Sequence, residues 1–76
     1  QKVDVNAADK VGRTALLRAS ENGHLEVVKW LFEQGADVSA ADIHGRTALW
    51  FASANGHLDV VKCLVEHGAN VKAADK

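Results

Sequence analysis

The chain reads Gly12-Arg13-Thr14-Ala15-Leu16 and then, at a later point, Gly45-Arg46-Thr47-Ala48-Leu49. Three more segments recur at the same offset: Asn22-Gly23-His24-Leu25 as Asn55-Gly56-His57-Leu58, Val27-Val28-Lys29 as Val60-Val61-Lys62, and Gly35-Ala36 as Gly68-Ala69. The offset is 33 residues, and residues 9–41 match residues 42–74 at about 22 of 33 positions. A fixed period of this length indicates an array of stacked structural repeats.

The same period predicts how the chain is divided. Residues 9–41 form one full repeat and residues 42–74 form a second. Residues 4–9 resemble residues 37–42, and residues 70–75 resemble both segments. We therefore expect residues 1–8 to be the tail of a preceding repeat and residues 75–76 to be the start of a further one.

Each repeat carries the signals of two short helices and a connecting loop. Thr14 can cap the first helix with its hydroxyl, and Gly23 follows the last turn of that helix. Apolar residues at helical spacing predict a second helix from Leu25 to about Gln34, which ends at Gly35. Residues 36–45 lack a helical pattern and predict an extended loop or hairpin. The second repeat predicts the same elements, with Thr47, Gly56, Leu58–His67 and Gly68.

The apolar faces of these helices require a neighbouring repeat. Helices of two or three turns are marginally stable alone, and one helix pair has no second layer to bury its apolar side chains. We therefore predict an all-α solenoid in which Leu16 and Leu49 are buried between repeats.

Composition excludes several classes of protein. The 76-residue chain has 9 basic and 10 acidic residues and a formal charge of -1, which does not favour nucleic acid or an anionic membrane surface. Its apolar runs are far shorter than the roughly 20 residues that span a bilayer. The single cysteine, Cys63, permits no internal disulfide. We expect an intracellular, cytoplasmic location.

The two copies resemble the ankyrin repeat over essentially the whole chain. The resemblance rests on the order Asp-x-x-Gly-Arg-Thr-Ala-Leu, Asn-Gly-His-Leu-(Glu/Asp)-Val-Val-Lys and Gly-Ala-(Asp/Asn)-Val. It implies helix–turn–helix–hairpin units stacked into a slightly curved solenoid. It also implies that hairpin tips and first helices form a recognition surface on the concave side.

The chain departs from the family pattern at two places. The family usually has Thr-Pro-Leu-His at the first helix, where this chain has Leu17 and Trp50 in place of the histidine. The family's histidine ties hairpin turns together, and neither replacement can make those hydrogen bonds. Asn6 keeps the family's Val-Asn-Ala, whereas Ser39 and Lys72 replace the asparagine.

Positions that differ between the repeats are candidates for recognition. They include the pairs Lys10/Ile43, Val11/His44, Leu17/Trp50, Arg18/Phe51, Glu21/Ala54, Trp30/Cys63, Phe32/Val65 and Gln34/His67. By the resemblance, the partner-binding surface comprises Lys10, Val11, Arg13, Ile43, His44 and Arg46 near the tips, and Arg18, Glu21, Trp50, Phe51 and Ala54 on the first helices. This set predicts apolar anchors with a basic rim. Each side chain could instead be solvated or half-buried filler, and Trp50 could pack between repeats.

The sequence gives little support to catalysis. Cys63 and His67 are four residues apart on one helix and could form a thiolate–imidazole couple or half of a metal site. Trp30 and Gln34 occupy the equivalent positions in the first repeat, so the pair is not part of the repeated pattern. We expect a packed cysteine beside an exposed histidine, with no metal and no cofactor. His24 and His57 recur identically, which favours a structural hydrogen bond.

Two functions of different classes remain at this level. The first is a scaffold module that binds a partner protein through the tips and first helices. The second is a structural unit that self-associates, because neither repeat has a strongly polar outer face and stacks of repeats can continue end to end.

Overall fold

The computed structural model describes residues 4–74, of which residues 73 and 74 are described by their backbone alone. Four helices follow one another: α1 (Ala15–Glu21), α2 (Leu25–Glu33), α3 (Ala48–Ala54) and α4 (Leu58–Glu66), and a 3-10 helix spans Val71–Ala74. Between residues 4 and 74 the extended backbone is limited to one isolated antiparallel bridge, from Ala41 to Thr47. The predicted all-α architecture is confirmed. The expected further repeat at 75–76 lies outside the described residues, and the repeat boundaries stay a prediction.

The first helices begin where their caps predict. The Thr14 hydroxyl oxygen accepts a hydrogen bond from the Leu17 amide at 3.3 Å, and Thr47 does the same for Trp50. This bond satisfies one of the amides that have no partner within the first turn of a helix. The alanine that follows each threonine therefore enters a helix that already has a capped end.

The second helices end one residue earlier than predicted. Gln34 and His67 are the capping residues, and the glycine after each has a positive φ, +91° at Gly35 and +93° at Gly68. This conformation lets the amide of Ala36 bond back to the Leu31 carbonyl at 3.0 Å. A left-handed glycine thus closes each helix and redirects the chain into the loop.

The core lies between the two helix pairs, with α1 packed on α3 and α2 packed on α4. Leu16 and Leu49 are buried, as are Val28, Val60 and Leu64. The predicted burial of the two leucines is confirmed. Each such side chain contributes roughly 1.5–3 kcal/mol when it leaves water.

Two polar contacts tie successive units together. The Asn6 side chain donates to the Gly35 carbonyl at 3.2 Å and accepts from the Asp37 amide at 2.7 Å. Further along the stack, the Glu21 carbonyl lies 3.0 Å from His57 Nε2, which must carry the proton because a carbonyl can only accept. The predicted structural role of His57 is confirmed.

Candidate protein-binding surface

The two loop tips, residues 9–13 and 42–46, are built on aspartates. One carboxylate oxygen of Asp9 accepts from the amides of Val11 at 3.0 Å and Arg13 at 2.9 Å. Asp42 does the same for His44 and Arg46, at 2.9 Å each. These local bonds fix each tip before any partner is present.

The tips are joined to each other through the backbone. The Ile43 amide donates to the Val11 carbonyl at 3.0 Å. Gly12 lies at this close approach with φ +81°, and a β-carbon there would come within 3.0 Å of the Asp42 backbone. The apolar side chains of Val11 and Ile43 therefore stand on neighbouring turns, with 41% and 64% of their surface exposed.

The Asp42 carboxylate is buried and holds two arginines. Arg46 Nε lies 3.0 Å from its second oxygen, and Arg13 Nε lies 3.9 Å from the same atom. Burial raises the pKa of this carboxyl, but hydrogen bonds from the Arg46 and His44 amides and from the Arg46 guanidinium outweigh it. The net result is a pKa below the ordinary value. Asp42 is therefore ionised at neutral pH.

Arginine and aromatic side chains alternate beside this carboxylate. The Arg13 guanidinium lies 5.0 Å from the centre of the Phe51 ring, and Arg46 lies 5.2 Å from Phe51 and 5.1 Å from Trp50. The two rings meet edge to face, with centres 5.3 Å apart. Cation–π contacts of this length hold the guanidinium groups in fixed positions.

Phe51 requires a correction, because it does not belong to an exposed surface. Only 3% of this residue is exposed, and its ring lies in the core. Position 51 faces the first repeat, whereas Trp50 turns to the other side of α3 and is half-buried. We therefore retain Trp50 and remove Phe51 from the candidate contact residues.

The remaining candidates lie at the tips and on the first helices. Lys10 and His44 are exposed at the tips, and Arg18 is exposed on α1. Arg18 forms a salt bridge with Asp9, and Arg13 lies 4.0 Å from the Glu21 carboxylate. Hydrogen bonds from the Arg13 amide and the Arg18 side chain lower the pKa of Asp9. The arginines of the expected basic rim thus have carboxylate partners within the chain.

Ala54 lies apart from the tip contacts. It is exposed at the last position of α3, where its backbone occupies the place that Glu21 holds on α1. We define the tip surface as the side chains that the two loops and their cation–π contacts bring together: Lys10, Val11, Ile43, His44, Arg46 and Trp50.

The role of Asp42 as the organising charge was missed from the sequence. It was interpreted there only as a turn-forming residue. The spacing of Asp9 to Arg13 and of Asp42 to Arg46 carried a usable signal, because an acid and a base four residues apart recur in the same motif. What the spacing does not show is that Asp42 is buried while Asp9 is exposed.

The second helices carry the other candidate chemistry, at Cys63. Its sulfur lies 3.8 Å from His67 Nδ1, but that nitrogen is only 2.9 Å from the Cys63 carbonyl, which is its closer partner. Burial and the nearby Glu66 charge raise the pKa of the thiol, so it is not a thiolate at neutral pH. His67 stacks on Phe32 at 4.0 Å between ring centres. This geometry favours packing over nucleophilic chemistry.

The α2 and α4 helices also border an open groove of about 490 Å³, which Cys63, Phe32 and His67 help to line. Within residues 4–74, no three His, Cys, Asp or Glu side chains are grouped so as to hold a metal ion. None of the helices described above is long and apolar enough to cross a bilayer.

The fold and its contacts define a stacked helix–turn–helix repeat protein. A family model described as ankyrin repeats (3 copies) matches residues 1–75. The chain belongs to the ankyrin repeat family. Ankyrin repeats are generally protein–protein interaction modules and are typically not enzymes. A search of curated proteins found no match.

Proposed function

We propose that this chain binds a partner protein through the tip surface and the adjoining first helices. The observation that carries the proposal is the pair of exposed apolar side chains, Val11 and Ile43, on two tips that are hydrogen-bonded to each other. Exposed apolar groups held at fixed positions are what a binding partner can cover without first ordering the loop.

The side chains around this pair support the same function. Arg46 and Trp50 are residue types enriched at interface hot spots, and their mutual contact at 5.1 Å keeps them together. A partner that covers them meets rotamers that are already restricted. The entropy cost of binding is lower than for free arginine and tryptophan side chains.

The charge pattern narrows the chemistry of the partner. Asp42 already neutralises Arg13 and Arg46, and Asp9 neutralises Arg18. A strongly acidic partner would therefore gain little from these arginines. The tip surface better suits a segment that presents apolar side chains beside hydrogen-bond acceptors for Lys10 and His44.

The test compares two variants in quantitative capture of proteins on the immobilised chain. Ile43→Ser removes an apolar tip side chain. Leu58→Ser is the matched control, because Leu58 is 63% exposed but lies at the start of α4, away from the tips. We expect Ile43→Ser to lose its specific partners by about tenfold, the equivalent of 1.4 kcal/mol, while Leu58→Ser keeps them. Equal retention by both variants would show that the tip surface is not the binding site.

A second candidate function is self-association by end-to-end stacking. It is supported by large apolar side chains at the two ends of the helix stack, where Trp30 and Leu58 are more than half exposed. Because these residues lie outside the tip surface, the chain can serve both functions at once.

A further inference from the structure

We infer that the two end faces of this helix stack fit each other, so that a second copy of the chain docks head to tail in the register of the internal repeat interface. The inference rests on the second candidate function, self-association, and specifies its contacts. Its basis is that the internal interface and the two end faces are made of equivalent residues.

The end faces are identified by residues that are identical in the two repeats but differ in burial. Val60 is fully buried against the first repeat, whereas its equivalent Val27 is 47% exposed. Leu25 is half-buried against the second repeat, whereas its equivalent Leu58 is exposed. The N-terminal end face comprises Ala15, His24, Val27 and Trp30. The C-terminal end face comprises Ser53, Leu58, Val65 and the Ala54 carbonyl.

A hydrogen-bonding pair is present across the two faces. Inside the chain, the Glu21 carbonyl accepts from His57 Nε2 at 3.0 Å. Ala54 is the equivalent of Glu21, and within residues 4–74 no side chain donates to its carbonyl. His24 is the equivalent of His57 and is exposed. In the internal register, His24 of a second copy meets the Ala54 carbonyl.

The apolar side chains are complementary in size. In the internal interface the small Cys63 and the large Phe32 line the same groove between α2 and α4. The equivalent residues at the ends are the large Trp30 and the small Val65. A head-to-tail junction therefore pairs one large and one small side chain again, with the sizes exchanged, so the junction is neither overfilled nor empty.

The charges at the junction also find a compatible arrangement. Arg18 replaces Phe51 and would approach Arg46, the equivalent of Arg13, which alone would be repulsive. Asp9 forms a salt bridge with Arg18 and is the equivalent of Asp42, whose carboxylate lies 3.9 Å from Arg13. Docking in this register thus places the Asp9 carboxylate between two guanidinium groups.

The experiment uses one blocked variant for each face. Val27→Asp places a charge on the N-terminal end face, near the start of α2, where a negative charge suits the helix dipole. Val65→Lys places a charge on the C-terminal end face, near the end of α4, where a positive charge suits it. Both residues are exposed, so circular dichroism should show folded chains. If either variant fails to fold, Val27→Ser and Val65→Ser replace them.

Sedimentation equilibrium over a concentration series gives the readout. We expect the mass of the unmodified chain to rise above 8.1 kDa with concentration, because a head-to-tail contact can continue. Each blocked variant alone should remain at 8.1 kDa. An equimolar mixture should form a closed pair of about 16 kDa, twice 8.1 kDa, because each variant keeps the face that the other has lost.

Two results would overturn the inference, and they differ in meaning. If the unmodified chain stays monomeric at millimolar concentration, self-association fails together with the proposed register. If it assembles but the mixed variants do not pair, the chain self-associates through another contact. Ile43→Ser is the control for both, because it alters the tip surface and should leave assembly unchanged.

Discussion

Replacing Ser39 with asparagine should add a second inter-repeat clamp and stabilise the fold. The first clamp is visible at Asn6, whose side chain bonds both the Gly35 carbonyl and the Asp37 amide. Ser39 occupies the equivalent position one repeat later. Its hydroxyl instead donates to the Asp37 carboxylate at 2.7 Å and does not cross to the next turn.

The space for the missing amide is present. Ser39, Gly68 and Asn70 line a cavity of about 210 Å³, together with Val38, Thr47 and Ala69. Gly68 and Asn70 are the equivalents of the two residues that Asn6 bonds. Within residues 4–74 no hydrogen bond reaches the Gly68 carbonyl or leaves the Asn70 amide. An asparagine at position 39 can therefore pair both groups.

The expected gain follows from the bonds formed and lost. Two hydrogen bonds at a net of about 1 kcal/mol each contribute about 2 kcal/mol. Ordering the asparagine side chain and losing the exposed bond from Ser39 to Asp37 together cost about 1 kcal/mol. The net increase in the free energy of unfolding is about 1 kcal/mol, which raises Tm by roughly 4–8 °C in a domain of this size.

Urea and thermal unfolding, followed by circular dichroism, measure this difference. Ser39→Ala is the matched control, since it removes the bond to Asp37 without adding an amide. Asn6→Ser is the reciprocal variant and should lose about 1 kcal/mol. If Ser39→Asn is no more stable than Ser39→Ala, the cavity is not the site of an absent clamp.

Three further substitutions test other contacts. Gly23→Ala should destabilise more than Gly56→Ala: both glycines have φ +72°, but only the β-carbon at Gly23 would come within 2.7 Å of the His57 ring. Equal urea midpoints would contradict this. Leu16→Ala should cost about 2–5 kcal/mol through the cavity it leaves, and an unchanged urea midpoint would refute that placement. Asp42→Asn should be less stable at pH 7 by about 1–3 kcal/mol. Because the folded pKa of Asp42 is depressed, the unmodified chain keeps this stability above pH 3.8 and loses it as the pH falls through the folded pKa, so the two stability curves should converge in acid.

The helices could be predicted from sequence because their signals are local. Thr14 and Thr47 cap helices whichever repeat lies beside them, and the glycine after each second helix ends it through its own φ. The repeat period then supplies the stacking, since two units of the same shape bury the same leucines. The hairpin was left open between a loop and a ladder, and the structure has a single bridge there.

The candidate surface was harder to predict because exposure is a property of neighbours. Position 51 was proposed for partner contact on the basis that it differs from Arg18, its equivalent. The structure buries Phe51 and exposes Arg18, because the position faces the preceding repeat and only Phe51 has that repeat fully in place within the described residues. Sequence difference identifies a variable position, but it does not show which side of the stack that position faces.

The same reasoning explains why conserved-looking and variable residues act together at the tips. Arg13 and Arg46 are identical in the two repeats, yet Arg13 contacts only Phe51, while Arg46 lies between Phe51 and Trp50. The single buried carboxylate of Asp42 serves both arginines because it lies at the junction of the repeats. A repeated residue therefore acquires its role from the variable residues across the interface, so specificity in this chain resides in pairs of positions and not in the variable positions alone.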